Sequence, residues 1–201
     1  MCWRFAEGEA VTPEETLRAT TEYLKNLQAM QKSYVAVGLP VGKVGGKTHT
    51  GGSTIIEIGA AHEFGAEIDH PGGTGYMATG GRAVFRRNSF MGPVTGFTAA
   101  HKITIPERSF LRAPFELKKS EINKAIQKAV ESVGAGKNNA ETALNLVGVM
   151  ARNISVKAFE TTGYGTWPDI KAATKKAKGS SAPLIDTGEL RGAITWEIRS
   201  E

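Results

Sequence analysis

The sequence predicts an α/β fold of the α+β kind: a small antiparallel or mixed sheet packed against two or three longer helices, with a long inserted arm or hairpin. Three observations predict it. Apolar residues recur at helical spacing over 12–30, 114–133 and 139–159. Short alternating runs at 34–39 and 194–198 have the period of strands. A glycine- and proline-rich passage at 66–104 separates the two halves, too long and irregular for an ordinary connection. A chain of 201 residues, 40% of them hydrophobic, suits one domain over 1–201 that buries a real core.

The elements follow in order. Thr12 is a good helix N-cap, Pro13 suits the first helical position, and Glu15 stands where a capping box needs its carboxylate. Leu17, Leu24 and Leu27 then form one stripe ending near Met30. Val35, Val37 and Leu39 share one face of a strand that Pro40 stops. Residues 42–53 are so rich in glycine that a flexible loop is expected. Ile55 to Phe64 has the length of a short helix, with Gly65 placed to end it. Within 66–104 only Ala83–Phe85 and Lys102–Ile105 have strand character, so this stretch is expected to project as an extended arm. Pro114 opens a helix through Phe115, Ile122, Ile126, Ala129 and Val133, closed by Gly134-Ala135-Gly136. The next stripe runs through Ala143, Leu144, Val147, Ile154 and Ala158, and core packing explains it without a ligand. Residues 169–178 form a short basic helix or loop. Ile194, Trp196 and Ile198 then alternate with Thr195, Glu197 and Arg199 in a closing strand.

Charge and composition exclude several classes. No stretch approaches the roughly 20 apolar residues that cross a bilayer, so no membrane partner is expected. The first residues lack the basic-then-apolar layout of a signal peptide, and a cytoplasmic product is the default. Cys2 is the only cysteine, which excludes an internal disulfide and a cysteine-rich zinc site. The net charge of +5 raises nucleic acid as a partner. Lys118, Lys119, Lys124 and Lys128 alternate with Glu116, Glu121 and Glu131, the pattern of a solvated face. Lys171, Lys175, Lys176 and Lys178 have no such interleaving, so a weak DNA contact there is the main alternative function.

The chemical signals fail on spacing. Gly46-Lys47-Thr48 ends like a phosphate-binding loop, but the glycine required five positions earlier is Val41. His62-Glu63 would need a second histidine at Ala66 to be a zincin motif. His49, His62, His70 and His101 show no close metal-ligand spacing, so no metal and no cofactor are expected. Asp186-Thr187-Gly188 resembles an aspartic-protease triplet, yet that chemistry needs two such aspartates. Asp186 or Thr187 better suits capping a short helical turn. No Gly-x-Ser-x-Gly elbow occurs. A non-enzymatic protein is expected.

What remains is an ordered pair of motifs. Ala60-Ala61-His62-Glu63-Phe64-Gly65 precedes the arm and is answered by Ile105-Pro106-Glu107-Arg108-Ser109-Phe110-Leu111. Leu184-Ile185-Asp186-Thr187-Gly188-Glu189-Leu190-Arg191 then leads into the last strand. In that order, and over most of the chain, the sequence resembles the tailed-bacteriophage virion morphogenesis or tail-completion proteins, the neck or head–tail joining family. The resemblance implies a small α/β virion protein, assembled in the host cytoplasm. It implies a ring of copies, typically sixfold, that completes the tail or joins it to the head connector, with neighbouring neck, connector and tail proteins as partners. It implies no catalytic residue and no cofactor. The arm at 67–101 departs from the family pattern.

Structural roles within the motifs are expected as follows. Gly65 ends its helix, Phe64 and Phe110 anchor core, and Arg108 pairs with Glu63 or an adjacent subunit. Asp186 and Thr187, ahead of Gly188, cap the turn that places Leu190, Arg191 and the final strand. In the arm, Tyr76, Phe85, Phe90, Met91 and Phe97 stand among glycines, and with Val84 they suit docking onto another chain.

Overall fold

A computed structural model describes residues 12–44, 48, 52–79, 82–86, 91–178 and 181–200. The fold is α+β, with small antiparallel sheets and several helices. Helix α1 (Pro13–Gln31) starts in the expected capping box. The Thr12 hydroxyl accepts from the Glu15 N–H at 3.2 Å, and the Glu15 carboxylate accepts from the Thr12 N–H at 2.8 Å. Strand β1 (Ser33–Gly38) follows, and Val41–Val44 wind into a one-turn helix, α2. The start of the expected 42–53 loop is therefore helical, because the Pro40 carbonyl accepts from both Lys43 and Val44. Residues 45–47 and 49–51 lie outside the described residues. Helix α3 (Ile55–Phe64) opens in a second capping box, made by Thr54 and Glu57, that the sequence reading overlooked. It closes at Gly65 in a left-handed conformation, φ 73°. A side chain at Gly65 would also crowd the Glu107 nitrogen at 3.2 Å.

From there the chain runs out and back. Strand β2 (Ala66–His70) leads to β3 (Gly75–Thr79), β4 (Arg82–Phe85) and β5 (Gly96–Phe97), and β6 (His101–Ile105) returns antiparallel to β2. The sequence suggested strands only at 83–85 and 102–105. Glu67, Asp69 and the glycines of the missed strands weaken local propensity, and only cross-strand pairing with β6 and β4 makes them strands.

The return strand runs into α4 (Arg112–Leu117), then α5 (Lys119–Gly134) and α6 (Ala140–Glu160). The helix expected to open at Pro114 thus opens two residues earlier and breaks at Lys118. Two short helices, α7 (Ala172–Lys178) and α8 (Glu189–Ala193), precede β7 (Thr195–Ser200). β7 pairs antiparallel with β1, so the first and last strands share one two-stranded sheet against α6. Gly148 on α6 admits the Trp196 ring of β7, and a Cβ there would sit 2.1 Å from the indole Cδ1.

The buried side chains form two clusters. Val44, Ile55, Phe110, Phe159, Leu190, Ala193 and Ile194 make one around α3, α6 and α8. Ala129, Val133, Ala143 and Val147 make the other between α5 and α6, touched by Leu27, Met30 and Val35. The stripe expected on α1 is only half used. Leu17 and Leu24 stay 69% and 53% exposed, because α1 reaches α5 and α6 only with its last turns. No helix among the described residues is long and apolar enough to cross a membrane.

Candidate functional site

The two sequence motifs meet in one place. Glu63 ends α3 almost fully buried, and its carboxylate caps the start of α4 from across the arm. One oxygen accepts from the Ser109 hydroxyl at 2.7 Å and the Arg112 N–H at 2.9 Å. The other accepts from the N–H groups of Phe110 and Leu111 at 2.8 and 3.0 Å. α4 has no side-chain cap of its own from Leu111, so a glutamate some fifty residues earlier satisfies its free donors. Ser109 extends the relay, since its oxygen also accepts from the Ala113 N–H at 2.9 Å. Glu63 is thus committed to the fold as an acceptor.

The segment 108–112 is pinned from three further sides. The Ser155 hydroxyl, buried on α6, donates to the Phe110 carbonyl at 2.7 Å. The Trp167 indole donates to the Ser109 carbonyl at 3.0 Å. The Arg108 N–H donates to the His62 carbonyl at 2.7 Å. Phe110 packs against Phe159, which in turn meets Trp167 edge-on.

Several expectations need correction here. Arg108 does not pair with Glu63: its guanidinium donates to the carbonyls of Pro168 and Asp169 at 3.1 and 3.3 Å. Burial pushes its pKa down, partly offset by the nearby Asp169 carboxylate. The cation beside Glu63 is Arg112, at 4.0 Å. Phe64 is not a core anchor. It is 64% exposed, because the helix points Glu63 inward and turns the next residue out, under the Arg112 guanidinium at 5.1 Å. Phe110 is the anchor, 1% exposed. The cap of α8 also differs. Gly188 is the N-cap at φ 80°, with no side-chain cap, and Asp186 is exposed. Thr187 only accepts from the Glu189 N–H at 3.4 Å. A left-handed turn at glycine replaces the expected aspartate or threonine cap.

The second motif nonetheless lies against the first. His62 and Arg108 share a cleft of about 280 Å³ with Leu184, Asp186, Thr187 and Gly188. Leu190 is buried beside Ile55 and Phe110, and Arg191 closes the last turn of α8. His70 and His101 come together as the final register pair of β2 and β6, their rings stacked at 4.9 Å. Among the described residues no three His, Cys, Asp or Glu side chains are grouped to hold a metal ion. Lys171 and Lys176 are exposed, while Lys175 pairs with Asp169. The Lys178 side chain, His49 and Phe90 lie outside the described residues.

The arm leaves several of its large described side chains in solvent. Phe85, Phe97 and Met91 are 63%, 66% and 99% exposed, and Tyr76 is partly covered by Phe85 in an edge contact. Ser155, Arg112 and Trp167 were missed as members of the joint, and Ser109, inside the second half of the first motif, was given no role. Ser155 carried a signal, being a polar residue on the apolar stripe of α6 between Ile154 and Ala158. Comparison with protein-family models, with curated proteins and with solved structures finds no match to this chain.

Proposed function

We propose that this chain is a structural subunit of the tailed-bacteriophage neck, forming a ring that completes the tail or joins it to the head connector. One observation carries the proposal beyond the sequence resemblance. Both motifs converge on a hydrogen-bonded joint at the root of a long β arm, and among the described residues of that arm Phe85, Met91 and Phe97 are exposed. A subunit that must grip its neighbours needs a fixed body and an exposed reaching element. Interface energy then offsets the cost of ordering the latter. A head-to-tail contact of this kind closes into a ring when its rotation divides the circle. The role calls for no catalytic group and no cofactor, and its place is the virion, after assembly in the host cytoplasm.

Density mapping or immunolabelling of intact particles tests the proposal. The protein should map to the head–tail junction, and particles lacking it should accumulate as separate heads and tails. Its absence from virions would sink the proposal. DNA binding through Lys171, Lys175, Lys176 and Lys178 has weaker support, because the Asp169 carboxylate already engages Lys175. Steeply salt-dependent duplex binding by the isolated protein would reverse that preference.

A further inference from the structure

The arm has a waist where its backbone ladder stops. β2 and β6 pair as far as His70 and His101, while the tip strands begin at Gly75 and end at Phe97. Between them Pro71 has no N–H to give. Among the described residues, 71, 72, 99 and 100 make no backbone–backbone hydrogen bond. Cross-strand bonding resumes where the Gly73 N–H donates to the Thr98 carbonyl at 2.9 Å and the Thr98 N–H to the Thr74 carbonyl at 3.0 Å. Two imidazoles take over in the gap. The His70 Nδ1 accepts from the Gly72 N–H at 2.9 Å, and the His101 Nδ1 donates to the Ala99 carbonyl at 2.9 Å. Each bond spans two residues of its own strand, so side chains hold the waist where a ladder would use backbone. The turn they hold is tight. Gly72 and Gly73 have φ of 85° and 78°, and a Cβ on Gly72 would lie 2.5 Å from the Thr98 oxygen.

These bonds fix which nitrogens carry protons. A carbonyl only accepts, so the His101 Nδ1 bears a hydrogen, and that ring can gain a second proton on Nε2 with its bond intact. His70 differs. Its Nδ1 is the acceptor and Nε2 holds the hydrogen of the neutral ring, so a second proton must go to Nδ1 and release Gly72. Charge on this face stands without compensation. Glu67, Asp69 and Lys102 project from the opposite face of the hairpin, where the lysine lies 3.8 and 3.9 Å from the two carboxylates. Among the described residues, the charged side chain that lines a cavity with His70 is Arg86, itself a cation.

We propose that the His70–His101 pair is a proton-operated hinge at the waist of the arm. In mild acid, where histidine side chains gain charge, His70 gives up the Gly72 N–H. With His101 charged as well, the rings stacked at 4.9 Å repel, and the tip is freed to swing on the stem formed by β2 and β6. The closed waist binds fewer protons than the open one. Closure therefore strengthens as pH rises through the histidine range and is lost as it falls. The hinge is a property of the arm itself and uses neither the neck location nor a ring.

Amide hydrogen exchange, followed by NMR on the full chain at about pH 7.5 and about pH 5.5, tests it. Protection factors of Gly72, Gly73 and Thr98, corrected for the intrinsic pH dependence of exchange, should fall about tenfold or more in the acid sample. Those of Val147 and Ala151 in α6 should not. His70→Asn supplies an oxygen that accepts from the N–H two residues on and does not titrate, so it should hold the waist closed at both pH values. His70→Phe has no acceptor and should leave the waist open at both, with α6 still protected. Equal protection of the wild-type Gly72 amide at the two pH values would overturn the hinge. So would a His70→Asn protein that still opens in acid, or a His70→Phe protein that switches like wild type, because the proton would then act elsewhere. Loss of protection in α6 together with the waist would also overturn it, as acid unfolding of the whole chain.

Discussion

Glu63 concentrates more of the fold's polar connectivity than any other side chain in the joint. Both of its oxygens are shared between two donors, and it is 5% exposed. Truncating it would strand three backbone N–H groups and a hydroxyl, and the buried ones, at Phe110 and Ser109, each carry a desolvation cost of roughly 1–3 kcal/mol. Glu63→Ala should therefore lose at least about 3 kcal/mol in chemical denaturation, and Glu63→Gln less, since one oxygen remains. A Glu63→Ala protein as stable as wild type would show that α4 needs no borrowed cap. The aromatic positions separate just as clearly. Phe110→Ala and Phe159→Ala should each cost about 3–5 kcal/mol, as for full truncation of a buried ring. Phe64→Ala should stay within about 1 kcal/mol, the loss of one exposed contact with Arg112. Equal losses at Phe64 and Phe110 would contradict the inward turn at Glu63.

At the scale of elements, α6 is the spine on which both clusters and the closing sheet rest. Its contact with β7 depends on Gly148, where the Trp196 ring fills the space a side chain would take. The indole is held there by donating to the Asn145 carbonyl oxygen at 3.0 Å. Gly148→Ala gains helix propensity but must displace that ring, and overpacking costs about 1–3 kcal/mol. A fall in Tm of a few degrees per kcal/mol is expected by calorimetry for a chain of this size. No change would mean that α6 and β7 slide apart freely. The loop before α7 offers a pH readout. The Asp169 carboxylate is held below its ordinary 3.8, first by the hydrogen bond from Lys175 and then by the Ile170 N–H. Its stabilisation is therefore complete above that ordinary value and disappears as pH falls through the lowered one. The small Tm deficit of Asp169→Asn should be present at neutral pH and vanish in strong acid. A deficit that grows in acid would reverse the sign of the shift.

For the whole molecule, the body and the arm tip answer to different conditions. The two clusters and the joint tie α3, α4, α6 and α8 together, whereas among the described residues the tip sheet contributes to neither cluster. Replacing residues 71–100 with a short turn that still links β2 to β6 should leave the Tm of the body within a few degrees of wild type. The same protein should be unable to assemble. A large loss of stability would mean that the tip contributes to the body's core. Under the proposed neck role, phage carrying this variant should fail to join heads to tails while the body stays folded.

Local chemistry made much of this legible beforehand. The Thr12 capping box, the stop at Gly65, the stripe of α6 and the closing strand β7 depend on residues a few positions apart, and each appears as expected, although burial along β7 does not alternate. The relation between distant segments was not legible. Nothing in the residues around Glu63 says that its acceptors face the start of α4. That geometry exists because β2 and β6 pair and bring Gly65 beside Glu107. Nor does the spacing of Leu17, Leu24 and Leu27 reveal that, among the described residues, only the last packs against a buried cluster, since periodicity describes a face and not what covers it. Asp186 looked like a cap because its residue type favours one, yet the turn settled on Gly188, where backbone freedom outweighs a side-chain hydrogen bond. Short-range propensity therefore set the elements. The long-range pairing of strands and burial of Glu63 decided which residues hold them together and which stay exposed.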